Sequence, residues 1–507
     1  METTIFGPPG TGKTTTLLNI VDDALQGGMN PSRIGFVSFS KKAATEAKER
    51  ALQKFGIDPK YLTHFRTLHS MAFQYLGLRS QDVMKGADYT ELSTLVGLPF
   101  SSHASLTMDD GLLFKAGRGG DAYLNLINLA RARQVSVETQ YHQLNDWRIQ
   151  LRQLRVIDGA LTSYKSAKGK MDFVDMIEQF VEGGEGPHFD LLIVDEAQDL
   201  VPLQWRMVKD ILVPRSERTY YAGDDDQCIY SWMGVDVQDF MKSCDDVRVL
   251  SKSYRLPAPV YNVAQNIVKR VSLRQEKHWS PNDHDGSVNW HYDILDVDIR
   301  SGEWLILGRT NNIVNRVGTM LKEQGFVFWR EGRGKNGWSV SPNTLEALEV
   351  WLRLCRGETF SSEELKQFGK FMRKEAITPA GKRRLNNLDP EETYTLDDII
   401  EKCSLLVTRE THWSQVIKVS DREVTYITSV RRSGEKILGN SKPRIRLSTI
   451  HAAKGGESDN VILLTETNTA CEKSLDQDGE ARCFYVGATR AKKNLHIVES
   501  GNPRYKI

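Results

Sequence analysis

Short apolar runs alternate with longer stretches of helical period along most of the chain, the signature of parallel strands joined by covering helices. Thr3, Thr4, Ile5 and Phe6 predict a short buried strand, and Leu17, Leu18 and Val21 give the stretch from about Thr14 to Leu25 an apolar face. Arg33 to Phe39 predicts a second strand, and Lys41 to Lys54 a helix with Ala43, Ala47 and Ala51 on one side. Together they form a βαβ unit. Thr63 to Ser70 then reads as an extended piece leading into a helix. From about Gln81 to Lys170 the pattern turns mostly helical, with Arg131, Arg133, Arg148, Arg152, Arg155, Lys165, Lys168 and Lys170 spread along it. We read this as an inserted helical subdomain whose charges form a solvated face. The strand pattern resumes at Leu191 to Val194 and at Thr219 to Ala222.

A second α/β half is expected beyond that point. Its strand-like segments are Val247 to Leu250, Trp304 to Leu307, Arg444 to Thr449, Asn460 to Leu464 and Asn494 to Val498. Helices are expected near Pro259 to Lys269 and Asn311 to Glu323. A second helix-rich insertion runs from about Pro342 to Asn440, with Trp351 and Trp413 as core residues.

Candidate chemistry sits at the ends of the predicted strands, where open parallel sheets bind ligands. Gly7-Pro8-Pro9-Gly10-Thr11-Gly12-Lys13-Thr14 follows the first strand and fits the phosphate-binding pattern without a mismatch. Its glycines let successive N–H groups face one concavity at a helix N-terminus, which suits an anion. Lys13 can reach the β- and γ-phosphates, and the Thr14 hydroxyl is placed to ligate Mg²⁺. Four apolar residues carry Asp195-Glu196-Ala197-Gln198-Asp199 to a second strand end. There Asp195 would hold Mg²⁺ and Glu196 would orient or deprotonate a water. The third strand ends in Gly223-Asp224-Asp225-Asp226-Gln227, and Gln227 suits sensing of the γ-phosphate or the water. Tyr230 and Trp232 could form a stacking platform for unpaired bases. The competing reading of Trp232 is plain core.

Composition narrows the setting. A chain of 507 residues exceeds one hydrophobic core, so about three to four domains are expected. Sixty-seven Lys and Arg against 66 Asp and Glu leave a net charge of +1, so any nucleic-acid surface must be a local groove. The six cysteines form no C-x-x-C pair, which points to free thiols in a reducing compartment. No apolar run approaches membrane-spanning length, and the phosphate loop begins too early for a signal peptide, so a soluble intracellular protein with no membrane partner is expected.

Taken together, the motifs resemble those of the UvrD/Rep/PcrA-type superfamily 1A DNA helicases. The phosphate loop corresponds to motif I, Phe36 to Arg50 to motif Ia, Thr63 to Phe73 to motif Ib, and Asp195 to Asp199 to motif II. Asp172 to Ile177 is similar to the short element the family places before motif II. Gly223 to Trp232 resembles motif III, Ser253-Tyr254-Arg255 motif IV, Ile445 to Glu457 motif V, and Tyr485 to Ala491 motif VI. The resemblance implies an α/β fold of two RecA-like P-loop parallel-sheet domains, each with a mainly helical inserted subdomain. On this chain that division is 1–80 with 171–249, insertion 81–170, then 250–341 with 441–507, insertion 342–440. ATP and Mg²⁺ are the implied cofactors, with Thr15 joining the loop residues at the nucleotide. The resemblance also makes Arg255 and Arg490 the γ-phosphate arginines, carried on the second sheet. Tyr254 would stack on the base and Glu457 would contact the ribose. Phe39, His69, Tyr230, Trp232 and His451 match positions along the family's single-strand track.

Two departures stand out. Only Met1 to Phe6 precede the loop where the family carries an adenine-reading Q motif, which leaves base selectivity open. The family's K-G-L-E-F reads Lys454-Gly455-Gly456-Glu457-Ser458. With a short tail after Val498, a compact, minimal motor is expected, of a size that suits a phage-encoded relative. The implied activity is ATP-dependent translocation on single-stranded DNA, 3′ to 5′, with unwinding of tailed duplex and replication or repair proteins as partners. The rival is a DNA-stimulated ATPase acting as a conformational switch or loader. RNA as substrate and a nuclease fusion are further alternatives, the last without a carboxylate-rich domain to support it.

Overall fold

The computed structural model describes residues 1–39, 41–100, 119–144, 149–333, 337–435, 443–472, 476–501 and 503–507. The chain divides into two compact units, Met1–Asp285 with Leu475–Thr489, and Gly286–Ser474 with Arg490–Ile507.

The first unit is built on strands β1 (Glu2–Phe6), β2 (Ile34–Ser38), β3 (Phe65–Thr67), β4 (Phe189–Asp195), β5 (Ser216–Gly223) and β6 (Val247–Val249). They pair in parallel in the order β3-β2-β4-β5-β1-β6. Ile34, Phe36, Leu191 and Ile193 pack on one face with Leu17, Leu18 and Val21 of the helix Lys13–Gln26 and with Ala47 and Ala51 of the helix Lys41–Phe55. Phe6, Val37, Leu192 and Val194 pack on the other with Phe180, Val208 and Phe240. Burial on both faces explains why these strands read as continuous apolar runs. The register aligns Phe6 with Gly223 and Ser38 with Asp195, so the phosphate loop, the acids after β4 and the turn after β5 emerge at one edge.

The sequence pattern counts Val247–Leu250 among the strands of the second half, although the implied division keeps 171–249 in the first, and puts the helix near Pro259 in the second half. The structure corrects both. Val247–Val249 pairs with β1 as an edge of the first sheet, and the helix Ala258–Val268 belongs to the first unit. Two short strands, β7 (Lys252–Pro257) and β8 (Ser280–Asn282), pair with each other in that unit, and the late helix Gln477–Ala488 packs on Ala258–Val268. A local apolar pattern encodes the strand but not its ladder partner, which explains the difference.

The insertion packs Leu92, Leu124, Ile127, Leu154, Ile157 and Leu161 around a core of its own. Its charges are not all solvated as expected. Arg131 lies 2.9 Å from Asp172 and 2.5 Å from Asp175 and also pairs with Glu178, while Lys165, 9% exposed, lies 2.7 Å from both aspartates. Arg148 lies outside the described residues.

The second unit carries β9 (Ser287–His291), β10 (Trp304–Gly308), β11 (Phe328–Arg330), a small antiparallel pair β12 (Phe360–Ser361) and β13 (Thr393–Tyr394), then β14 (Ile445–Thr449), β15 (Ser458–Leu464) and β16 (Ala491–Val498). Six of these form a parallel sheet in the order β11-β14-β10-β15-β16-β9. The helix Asn311–Glu323 covers it with Ile313, Val314, Val317 and Leu321. The helix-rich insertion has a separate core that includes buried Trp351 and Trp413. Each unit is thus a parallel sheet flanked by helices with a helical insertion, consistent with RecA-like folds.

Candidate nucleotide site and its surroundings

The phosphate loop is shaped by its own backbone. Gly7 N–H donates to Gly223 O at 2.8 Å, which ties the loop to the end of β5, and Thr11 returns to Pro8 O through its N–H at 3.1 Å and its hydroxyl at 2.8 Å. Gly10 and Gly12 stand at φ +74° and +77°, conformations that glycine adopts without a Cβ clash. Pro8, Pro9 and Thr11 are buried, Lys13 and Thr14 half-buried, and Thr15 exposed. The helix begins at Lys13, one residue before the expected start.

An outer wall comes from far along the chain. Ser253 donates its hydroxyl to Pro9 O at 2.8 Å, and Tyr254 N–H donates to Gly10 O at 2.7 Å. A Cβ at Gly10 would lie 2.3 Å from Arg255 Cβ, so the strand passes as close as a glycine allows. Tyr254 is 71% exposed and passes near Gly12, whose added Cβ would meet its ring at 3.8 Å. Arg255, which the resemblance carried on the second sheet, therefore sits on β7 in the first unit, beside the phosphate loop.

Lys13 Nζ lies 2.5 Å from Glu196 Oε1 and 3.3 Å from Asp195 Oδ1. Burial alone would lower its pKa, but the two carboxylates outweigh that and raise it. Asp195 is buried at the end of β4, and burial raises its pKa against the opposing pull of Lys13. Glu196 takes a left-handed backbone at φ +54°, the sharp turn that aims it away from the strand. Thr14 and Asp195 offer a hydroxyl and a carboxylate oxygen, the hard donors that suit Mg²⁺.

Sequence reasoning gave no role to Gln198 or Lys277, which join these groups, and gave Gln227 only a sensing role. Gln198, 1% exposed, donates from Nε2 to Glu196 Oε2 at 2.6 Å and accepts the Asp224 N–H at Oε1 at 3.2 Å. Gln227 donates to Asp224 Oδ2 at 2.8 Å. Asp224, Asp225 and Asp226 have the spacing of a metal site, but a cation of the chain already occupies it. Lys277, fully buried at its side chain, lies 3.0 Å from Asp224 and 2.8 Å from Asp226 and also pairs with Asp225, and Arg274 reaches Asp226 at 2.6 Å. The three adjacent acids were the one signal in the sequence that a buried cation was needed.

The track candidates divide. Trp232 is 45% exposed and not core, Tyr230 is half-buried with its ring 5.8 Å from that of Phe39, and Phe39 is buried. His69 is not at the surface. It is 5% exposed, packs edge-on against Phe173, and burial pushes its pKa down to about 4. In the second unit, His451 is half-buried and Glu457 exposed, and Arg490 is buried with Nη1 3.2 Å from Gly456 O. Among the described residues no helix is long and apolar enough to cross a membrane.

Comparison with known proteins places the chain in a family. Residues 1–248 match the UvrD/REP helicase N-terminal domain family, and residues 374–501 the UvrD-like helicase C-terminal domain family. The chain is 22% identical to a probable DNA helicase II homolog of Mycoplasma genitalium, over 97% of this chain and 82% of that protein. It is 23% identical to the ATP-dependent DNA helicase srs2 of Schizosaccharomyces pombe, over 98% and 69% respectively. It is 24% identical to the ATP-dependent DNA helicase PcrA of Staphylococcus aureus, over 58% and 42%.

Proposed function

This chain belongs to the UvrD/PcrA-like superfamily 1A helicases, and on that premise we propose that it is an ATP-driven motor that moves 3′ to 5′ on single-stranded DNA and unwinds duplex. The observation that carries the proposal is the charge arrangement at one sheet edge, where Lys13 faces Glu196 and Asp195 beneath a glycine-built loop. A triphosphate that engages Lys13 exchanges one anion for another and releases Glu196 Oε1 from Lys13. Glu196 can then accept a proton from the attacking water while Gln227 orients it. Arg255 and Arg490 neutralise charge that develops on the γ-phosphate, and the second unit's contribution ties turnover to closure. Bound at Thr14 and Asp195, Mg²⁺ would screen the phosphate charge. Tyr254 offers a ring for the base and Glu457 a carboxylate for the ribose.

On the DNA side, Trp232 and Tyr230 offer faces for stacking, with Phe39 beneath Tyr230 and His451 contributing from the second unit. A base contact by His69 requires its side chain to be uncovered first. The test is hydrolysis of several NTPs with and without single-stranded DNA, followed by displacement from 3′-tailed and 5′-tailed duplexes. The motor reading expects stimulation by DNA and displacement on the 3′ tail. Absence of stimulation would sink it, and stimulation without displacement on either tail would favour a switch or loader.

A further inference from the structure

Glu196 leaves β4 in a left-handed conformation, so no regular element of its own fixes the direction of its carboxylate. The next side chain but one does. Gln198 donates to Glu196 Oε2 at 2.6 Å and accepts the Asp224 N–H at 3.2 Å, and a primary amide can do both at once. Room for this amide is reserved in the backbone, because a Cβ at Gly223 would lie 2.2 Å from Gln198 Oε1. Asp224 is held in turn by Gln227 at 2.8 Å and Lys277 at 3.0 Å. An unbroken line of hydrogen bonds thus runs from the turn after β5 to the acid after β4.

We infer that Gln198 is a positioning residue for hydrolysis, one that holds Glu196 through Oε2 and ties its orientation to the Asp224–Gln227 turn. The assignment rests on the ATPase reading above. A phosphate that takes Lys13 removes the Lys13 contact from Oε1 but leaves the Gln198 bond intact. Glu196 then keeps its aim when the base is needed. Gln198 touches no reacting atom and acts only through Glu196.

Two variants of the full chain separate this role from packing. Gln198→Met keeps the length and loses both hydrogen bonds, whereas Gln198→Glu keeps an acceptor for the Asp224 N–H and loses the donor to Glu196. Both should lower the kcat of DNA-stimulated ATP hydrolysis by about 10- to 100-fold. The KM for ATP and the affinity for a non-hydrolysable ATP analogue should stay within about twofold of the parent, since ground-state binding is untouched. A residue that merely anchors the turn predicts full recovery in Gln198→Glu. That recovery, a near-parental kcat in Gln198→Met, or a rise in KM matching the fall in kcat would each overturn the assignment. Should Gln198→Met not fold, Gln198→Glu carries the test alone. An inactive parent overturns the ATPase reading together with this assignment, whereas an active parent with unaffected variants overturns this assignment alone.

Discussion

At Gly10, an added methyl group would meet Arg255 Cβ at 2.3 Å and Ser253 Oγ at 2.8 Å on a backbone already at φ +74°. Replacement by alanine forces β7 off the loop, so Gly10→Ala should destabilise the protein by about 1–3 kcal/mol in urea unfolding and abolish hydrolysis. Lys13→Ala removes the cation facing two acids and should lower NTP turnover by about two to three orders of magnitude in a steady-state assay. His69 gives a pH prediction. Its folded pKa of about 4 lies below the ordinary 6.5, so the stability it contributes is present above pH 6.5 and lost as pH falls through 4. That is up to ~3 kcal/mol for a fully buried ring. Urea unfolding of His69→Leu at pH 7 and pH 4.5 should show a smaller acid penalty than the parent. That Lys13, Asp195 and Glu196 come together was legible because motif spacing puts them at the ends of parallel strands. Gln198 was not, because its function depends on an N–H that belongs to Asp224 on the next strand's turn.

Elements were easier to read than their partners. The helix Asn311–Glu323 and the strand Trp304–Gly308 lie where their apolar period puts them, because each buries one continuous stripe or both faces. Val247–Val249 and the helix Ala258–Val268 are legible as elements but not by their neighbours, and the helix Gln477–Ala488 is not legible as a helix, only its end as part of motif VI. Val247–Val249 is held by its pairing with β1, and the two helices are tied in by charge. Lys277 and Arg274 reach the turn after β5 from the segment that follows Ala258–Val268, and Ser272 N–H donates to Asp478 of the helix Gln477–Ala488 at 3.0 Å. Lys277→Met should therefore cost about 3–5 kcal/mol, measured by thermal or urea unfolding, because three acids lose a buried counter-charge. The loss should depend on pH. Asp225 is already pushed up to about 6 by burial, with the neighbouring acids adding to it. Removing Lys277 takes away the charge that holds the Asp225 pKa down and so raises it further, and a raised carboxyl favours the fold only while protonated. The deficit against the parent should be small near pH 4 and grow towards pH 7.

For the molecule as a whole, the two-sheet division was legible and the path of the chain through it was not. The first unit is discontinuous and needs Leu475–Thr489 after nearly the whole second unit has been made. Residues 1–248, the span matched by the N-terminal domain family, hold the phosphate loop and the acids but lack Ser253, Arg274, Lys277 and the helix Gln477–Ala488. Expressed alone, this fragment should expose hydrophobic surface, bind a dye such as ANS, and melt without a cooperative transition. The full chain should show one. Fragments ending at Asp285 should recover part of the lost order, since they restore the cations but not the late helix.

The distance in sequence between Asp285 and the helix Gln477–Ala488 is also a distance in time. At roughly 5–20 residues per second, a ribosome that has finished the first segment needs on the order of 10–40 s to deliver the last piece of the same unit. During that interval the nascent protein already carries its phosphate loop, yet Tyr485, which in the finished fold is buried with its pKa raised by burial and by the acids at Asp224 and Asp226, has not been synthesised. Completion of the first unit thus waits until the helix Gln477–Ala488 has been made, and a product truncated before it cannot assemble that unit in full.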